Sequence, residues 1–531
     1  MTHGLTDFFP LSAKPALALV LGLVITALAL AIAAGPDMNW DLRNYHYYIG
    51  AMQLHGGFDR HLFPAQLPTY FNPTLDVPLA FMLENFPPMA VALTIAAVQC
   101  LNIPLLFIIS RQVLARLLLA EASPRRAWLM LGAAVVIGVT GSMTRSEIGT
   151  SMGDLVVSVP LLAALACLGR AHPQAGLDRN PDLWIVLGGF AFGVAAGLKP
   201  VAVVFAPGFA LVFLWLGDTW LEKIERLVVF GLAAAVGVAL SAGWWAWEMW
   251  QTTRNPVFPL MNSLFRSPLY DAISTLEQNF RPHSVVEAIT YPFRAAFGQS
   301  PGGEAAYVEP RYALVILLLP ALFVRRPLDW AAALLGFFIA GFLAWLMLFG
   351  IERYAVALEM LSGPVIVLLA GLAFSTARRF LAVIALTVLA LVATIPADWG
   401  HGSWKKIAGA GDWFGIKRPV DLGGADQMFL IIDNEPVAFV IPEFAGARFV
   451  RVGGWFDPSP GTGLDDMRRR AIADHAGPIY TIGLREPDDY VETILAGYGL
   501  RRTDDPCRVL ETNPTSFKVC PVRRVARVEL R

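Results

Sequence analysis

Charged residues are scarce in this 531-residue chain. Asp, Glu, Lys and Arg make up 16% of it, whereas a soluble protein has about 25%. Hydrophobic residues make up 56% and occur in long runs such as 15–34 and 380–395. A run of about 20 apolar residues can cross a bilayer. The sequence therefore predicts a polytopic α-helical membrane protein and excludes a soluble globular fold.

An excess of charge of either sign is also absent. The formal net charge is −1, so nothing predicts binding to nucleic acid. The four cysteines and eight histidines form no cluster with metal-ligand spacing, and no glycine-rich nucleotide-binding loop is visible. We therefore predict no cofactor and no metal site. The alternative is a divalent cation held by the carboxylates of Asp37, Asp41 and Asp154, because such oxygens suit hard cations.

The hydrophobic runs predict about 11 membrane segments. The segments are 15–34, 88–110, 127–142, 155–169, 183–198, 200–216, 228–247, 312–324, 329–349, 355–374 and 380–396. If they alternate in direction, basic pairs such as Arg125 with Arg126 and Arg325 with Arg326 fall on one side. The positive-inside rule makes that side cytoplasmic, together with the N-terminus. We expect a bacterial inner membrane, with loops 35–87 and 248–311 in the periplasm.

The chain changes character near residue 400. We interpret 1–400 as the membrane domain, including both periplasmic loops, and 401–531 as a small periplasmic α/β domain. The segments FLIID, AFVIP, RFVRV and IYTIGL predict strands, and DDYVETILAGYGL predicts a helix. Cys507 and Cys520 lie on either side of an Asn513-Pro514 turn. A hairpin there would place them opposite each other, and a disulfide is expected in an oxidising compartment.

A polar segment, DMNWDLRNYHYY (37–48), directly follows the first hydrophobic run. Read as a helix, it places Asp37, Asp41, Asn44 or Tyr45, and Tyr48 on one face. A carboxylate within hydrogen-bond reach of a hydroxyl can act as a general base. Asp41 is the first candidate for this role and Asp37 is the second. The candidates for substrate binding in this segment are Arg43, Tyr45 and His46.

Three short motifs carry a resemblance to a known superfamily. Asp41 with Tyr45 resembles the D-E-x-x-Y-type motif that follows the first helix in the GT-C membrane glycosyltransferases, notably aminoarabinose transferases and protein O-mannosyltransferases. Leu42 replaces the second acidic residue of that motif. The segment SMGD (151–154) is similar to the T-P-D motif, and GLKP (197–200) resembles L-T-K-G-P. The segment NPTLD (72–76) replaces the K-P-P motif, whose lysine is missing.

The resemblance implies a GT-C-like fold and an inverting transfer of a hexose or pentose from a polyprenyl-phosphate sugar. It places Asp154 near the active site and Lys199 at the donor phosphate. Because the K-P-P lysine is missing, we expect another cation to meet the phosphate. The main candidate is Arg353 in GIERY (350–354), next to Tyr354, since a guanidinium can bind two phosphate oxygens. Arg311 and His283 are further candidates.

The acceptor would be a hydroxyl group of a glycolipid, a polysaccharide or a protein, reached at the membrane lipid surface. A transporter or flippase is the main alternative, and it would place ionisable residues near the middle of the membrane. Here such residues concentrate at predicted periplasmic helix ends and loops, which favours an enzyme. A non-catalytic assembly protein, with the tail as a docking module, is a further alternative.

Overall fold

The computed structural model describes residues 13–119, 123–172, 180–273, 275, 277–327, 329–444, 446–484 and 488–525. The structure is mostly helical in these ranges. The α-helices are α1 (Ala13–Ala34), α2 (Tyr47–His55), α3 (Asp76–Asn85), α4 (Pro88–Gln99), α5 (Asn102–Leu119), α6 (Pro124–Val139), α7 (Ser142–Glu147), α8 (Asp154–Ala171), α9 (Pro181–Leu198), α10 (Ala206–Val212), α11 (Trp220–Thr253), α12 (Asn262–Phe265), α13 (Val285–Ala296), α14 (Arg311–Leu318), α15 (Ala321–Val324), α16 (Trp330–Leu348), α17 (Val356–Ala373), α18 (Thr376–Ala393), α19 (Trp404–Ala410), α20 (Gly463–Asp474) and α21 (Asp489–Gly497).

Seven helical segments in the described ranges are long and apolar enough to cross a membrane. They are Lys14–Ala34, Pro88–Leu117, Asp154–Ala171, Pro181–Leu198, Trp220–Thr253, Trp330–Leu348 and Glu352–Ala373. Two predicted segments are shorter and irregular: α10 lies between 3-10 turns, and Pro320 separates α14 from α15. Proline lacks the N–H that would continue a helix.

The chain is a multi-pass membrane protein, and the number of about 11 segments stays a prediction.

The chain divides into two compact units. Unit 1 comprises residues 1–33, 93–243 and 277–399, and it contains most of the long apolar helices. Unit 2 comprises residues 34–92, 244–276 and 400–531. The polar segment 37–48 and the tail therefore belong to the same unit, although they are far apart in sequence.

Helix α17 forms the centre of unit 1. Nearly all of its side chains are buried, and it packs against α5, α6, α14 and α18. A Cβ atom on Gly363 of α17 would overlap the carbonyl oxygen of Ala134 in α6, and one on Gly138 of α6 would overlap that of Met360. Glycine at both positions therefore allows the two backbones to touch.

Helix α9 approaches α11 in a similar way. Gly189, Gly193 and Gly197 are spaced by four and share one face of α9. A Cβ atom on any of them would overlap an atom of α11. Small residues at this spacing are typical of close helix contacts in membranes.

Unit 2 contains one six-stranded sheet. Its strands are β1 (Met428–Ile431), β2 (Arg448–Arg451), β3 (Ile479–Gly483), β4 (Leu500–Arg502), β5 (Arg508–Glu511) and β6 (Ser516–Arg524). The order is β2-β1-β3-β6-β4, with β5 also paired to β6. β1 runs parallel to β2 and β3, and the other pairs are antiparallel. The backbone at Leu62 extends the sheet beside β2, since its N–H donates to Phe449 and its carbonyl accepts from Arg451.

The tail departs from its predicted elements at two places. The segment AFVIP lies in a 3-10 helix, Ala438–Phe444, so the predicted strand there is wrong. A short buried apolar run reads alike as strand or helix, and only the fold decides. Helix α20 was not predicted, because it is polar and buries few apolar side chains. The strands predicted in FLIID, RFVRV and IYTIGL and the helix predicted at 488–500 are confirmed by β1, β2, β3 and α21.

The predicted disulfide between Cys507 and Cys520 is confirmed. It joins the two arms of the β5–β6 hairpin, in which Arg508 pairs with Val519 and Glu511 with Ser516. Cys100 and Cys167 are free thiols in unit 1.

The polar segment 37–48 is helical only in part. Leu42–His46 forms a π-helical turn that continues into α2. Asp37 precedes the helix and forms a short antiparallel bridge with His401. The predicted single face is therefore wrong, because a π-helical turn changes the register of residues spaced by three and four.

Candidate functional site

The first group of predicted site residues lies in unit 1, around Asp154. Helix α8 begins at Asp154, after Gly153 with a φ of +82°. The buried carboxylate of Asp154 meets two cations: Lys199 Nζ is 2.6 Å from Oδ1, and Arg353 Nη1 is 3.4 Å from Oδ2. Hydrogen bonds between charged groups are stronger than neutral ones, so this carboxylate fixes both cations.

Lys199 and Arg353 also share an aromatic neighbour. The Tyr354 ring centroid is 5.1 Å from Lys199 Nζ and 5.0 Å from the Arg353 guanidinium carbon. These distances suit cation–π attraction. Lys199 follows α9 and precedes Pro200, which begins a 3-10 turn, and its ammonium also donates to the Met152 carbonyl. The structure thus brings Asp154, Lys199, Arg353 and Tyr354 together, and we call them the cation cluster.

The cation cluster has a formal charge of +1, from two cations and one carboxylate. Glu304 adds a carboxylate 3.1 Å from Arg353 Nε, but its side chain is 38% exposed, so solvent screens this pair. The planar guanidinium of Arg353 and the tetrahedral ammonium of Lys199 are together suited to bind a phosphate group. The arrangement can stabilise negative charge that develops on a leaving oxygen.

Glu147 is a neighbour of the cation cluster that the motifs did not single out. Its side chain is fully buried, and in the described part of the chain no donor reaches either carboxylate oxygen. Burial raises the pKa of Glu147 well above its ordinary value, and the charge of Asp154 adds to this effect, while Lys199 and Arg353 oppose it. In the sequence, Glu147 is only one of several polar residues before SMGD, and nothing there shows that it becomes buried.

Two further carboxylates hold α7, the helix that ends at Glu147. Glu359 accepts hydrogen bonds from the backbone N–H groups of Met143 and Thr144, at 2.9 and 2.8 Å. Glu309 accepts one from Ser142 N–H and pairs with Arg311 at 2.9 Å. Arg311 is fully buried in this ion pair, so its guanidinium stabilises the fold. His283 lies at the surface, apart from these contacts.

The candidate bases lie in unit 2. Asp37 and Asp41 are both buried, with exposures of 2% and 8%. Asp37 accepts hydrogen bonds from the backbone and side-chain amides of Asn39, each at 3.0 Å. Asn39 in turn accepts from Leu42 N–H at 2.7 Å and so caps the helix that carries Asp41. Asp37 therefore supports the start of this helix, and Asp41 lies within its first turn.

The remaining predicted residues of unit 2 have different surroundings. His46 Nδ1 is 2.6 Å from a carboxylate oxygen of Asp76, and both side chains are buried. The Tyr45 ring packs against His46, with the centroids 4.1 Å apart. Arg43 Nε donates to the Met38 carbonyl. Burial lowers the pKa of Arg43, and the negative charges of Glu435 and Asp37 oppose this effect.

The chain shares its fold with a solved aminoarabinose transferase, one of the groups that the motifs resemble. It is similar to the structure of ArnT from Cupriavidus metallidurans bound to undecaprenyl phosphate. The identity is 13%, the match covers 96% of this chain and 98% of that one, and the TM-score is 0.51. It also matches the oligosaccharyltransferase of Archaeoglobus fulgidus, with 12% identity over 87% of this chain and 69% of that one and a TM-score of 0.48. No family model and no curated protein matches the sequence.

Proposed function

We propose that this protein is a membrane glycosyltransferase that moves a sugar from a polyprenyl-phosphate donor to a hydroxyl group. The observation that carries the proposal is the cation cluster, in which Lys199 and Arg353 flank one buried carboxylate. The fold shared with ArnT, which was solved with undecaprenyl phosphate, supports a lipid-linked donor. The reaction takes place at the periplasmic face of a bacterial inner membrane.

Lys199 and Arg353 bind the donor phosphate in this mechanism. As the bond between the sugar and the phosphate breaks, negative charge grows on the lipid phosphate, and the two cations stabilise it. Asp154 and Tyr354 hold both cations in place. Since Asp154 is occupied by two ion pairs, we assign it a positioning role.

Asp41 accepts the proton of the acceptor hydroxyl, which attacks the anomeric carbon from the side opposite the phosphate. The configuration of that carbon is therefore inverted. Asp37 is the alternative base, and its hydrogen bonds to Asn39 favour a role in shaping the loop. Arg43, Tyr45 and His46 position Asp41 or bind substrate. The acceptor belongs to a glycolipid, a polysaccharide or a protein.

The test is a turnover assay with reconstituted protein and a panel of polyprenyl-phosphate sugars. We expect Asp41→Asn to lower kcat by at least about a hundredfold, the usual contribution of a general base, while donor binding is unchanged. Asp37→Asn separates the two carboxylates, because a loop-shaping residue should affect thermal stability as well as rate. Full activity of Asp41→Asn would exclude it as the base, and no turnover with any donor would favour a transporter.

A binding measurement tests the cation cluster separately. Lys199→Ala should weaken binding of undecaprenyl phosphate by about tenfold or more, since a hydrogen bond to a charged group contributes about 1.5–3 kcal/mol. Lys223→Ala is the matched control, because Lys223 also lies over an aromatic ring, 5.0 Å from the Trp220 centroid. Equal affinities of both variants would show that Lys199 does not bind the phosphate.

A further inference from the structure

Two tryptophan rings form a partly exposed stack in unit 2. The ring centroids of Trp40 and Trp455 are 6.2 Å apart, with an angle of 26° between the planes. Trp455 is 70% exposed, and Trp40 is partly exposed. We call this pair the indole platform. Tryptophan carries a large apolar face, and its exposure in a folded unit often marks a binding surface.

The chain fixes the backbone of the indole platform although the rings are accessible. Trp455 follows two glycines after β2, and Gly454 has a φ of +135°, which other residues rarely adopt. The Trp455 N–H donates to the Asn434 side chain at 2.7 Å, and the next N–H, of Phe456, donates to Gln66 Oε1 at 3.2 Å. A surface that is ordered before binding loses less entropy when a ligand arrives.

Two polar side chains belong to or contact the segments that carry the indole platform. Gln66, which anchors the loop of Trp455, has a buried Nε2 with no acceptor in the described ranges. Arg43 lies one helical turn after Trp40 and interacts electrostatically with Glu435, the residue after Asn434.

We infer that the indole platform binds the pyranose ring of a saccharide substrate. The flat C–H face of a pyranose packs on an indole, while its hydroxyl groups need donors and acceptors, for which Gln66 and Arg43 are the candidates. Trp40 directly precedes Asp41, so the platform and the residue proposed as the base share one helical turn. The inference rests on the proposed function and adds to it a binding subsite for either the donor sugar or a sugar of the acceptor.

Saturation-transfer-difference NMR on the full-length protein tests the inference without turnover. The probes are methyl glycosides of glucopyranose, mannopyranose, galactopyranose and arabinopyranose. We expect saturation of the C–H protons on one ring face for at least one probe, and a loss of affinity of about tenfold in Trp455→Ala, which corresponds to about 1.4 kcal/mol. Trp455→Phe keeps a flat ring and should retain most of the signal.

Trp220→Ala is the matched control, because Trp220 is 69% exposed and lies in unit 1. Trp455→Leu keeps an apolar side chain without a flat face, so it tests the platform if Trp455→Ala folds poorly. The inference is overturned if no probe shows saturation with the wild-type protein, or if Trp455→Ala and Trp455→Leu bind the probes as the wild type does.

Turnover kinetics then identify the source of the ring. A rise in KM for the polyprenyl-phosphate sugar in Trp455→Ala assigns the platform to the donor, and a rise in KM for the acceptor assigns it to the acceptor. If KM for the donor and KM for the acceptor are both unchanged, the platform does not bind either substrate during turnover. Failure of the proposed function appears differently, as saturation by a pyranoside without turnover of any donor.

Discussion

The carboxylates around α7 and α8 differ in how their charge is balanced. Asp154 meets two cations, whereas Glu147 is fully buried and receives no hydrogen bond on its carboxylate from the described residues. Burying an ionised carboxylate without hydrogen-bond partners costs free energy, which favours its protonated form. While Glu147 is protonated, it adds no negative charge beside the cation cluster.

Glu147 should therefore make stability depend on pH. Folding raises its pKa above the ordinary value of 4.5, so the folded state holds a proton that the unfolded chain releases as pH rises past this value. Stability then falls as pH rises above about 4.5. Glu147→Gln cannot ionise and should unfold at a higher temperature than the wild type at pH 8, by about 1–2 °C for each kcal/mol removed, and at a similar temperature near pH 4.

Thermal unfolding of both proteins across this pH range measures the effect. Glu225→Gln is a suitable control, since Glu225 is exposed on α11. A difference between Glu147→Gln and the wild type that is the same at pH 4 and pH 8 would contradict the prediction.

Motifs and helix ends were sufficient to select Asp154, Lys199, Arg353 and Tyr354, which the structure places in contact. Each of these residues lies near a helix end, and the ends of the hydrophobic runs in the sequence predict these boundaries. Glu147 and the pairing of Trp40 with Trp455 could not be predicted, because both depend on tertiary packing between distant segments.

At the level of elements, α9 and α11 depend on glycine for their contact. Gly193→Ala places a methyl group against the Ala234 carbonyl. We expect a loss of about 1–3 kcal/mol, the usual cost of overpacking. Gly231→Ala on α11 is the control, because a Cβ atom there meets nothing within 4 Å. Thermal unfolding in detergent compares the two variants, and equal stability would mean that the helices can separate without cost.

The β5–β6 hairpin gives a second prediction at this level. The disulfide closes a loop with a sequence separation of 13, and a loop near this length contributes about 3 kcal/mol in the chain-entropy model. Cys507→Ser with Cys520→Ser should make the tail unfold at a lower urea concentration. A reductant should shift the wild type in the same way and leave the double variant unchanged. A reductant effect on the double variant would point to another cause.

The elements that the sequence predicts well are those with a clear pattern. Long apolar helices and the hairpin around Asn513-Pro514 are of this kind. The 3-10 helix at Ala438–Phe444 and the π-helical turn at Leu42–His46 leave no distinct periodicity, so their residues were assigned to a strand and to a regular helix.

For the whole molecule, the basic loops predict the orientation in the membrane. A full-length chain with green fluorescent protein at its N-terminus should fluoresce, and alkaline phosphatase at its C-terminus should be active, because the rule places these ends in the cytoplasm and the periplasm. Activity assays in intact cells measure both. The predicted orientation would be contradicted if green fluorescent protein fused to the C-terminus fluoresced and phosphatase fused to the same end were inactive.

Unit 2 is assembled from three stretches of chain that are far apart in sequence. The Arg451 guanidinium donates to the Pro64 carbonyl across 387 positions, and Leu62 pairs with the backbone of β2. On the predicted orientation, the loop with Asp37 and Asp41 is therefore exported before the strand that supports it has been synthesised. Since that strand belongs to the tail, the surroundings of these carboxylates are completed only after the tail has been synthesised.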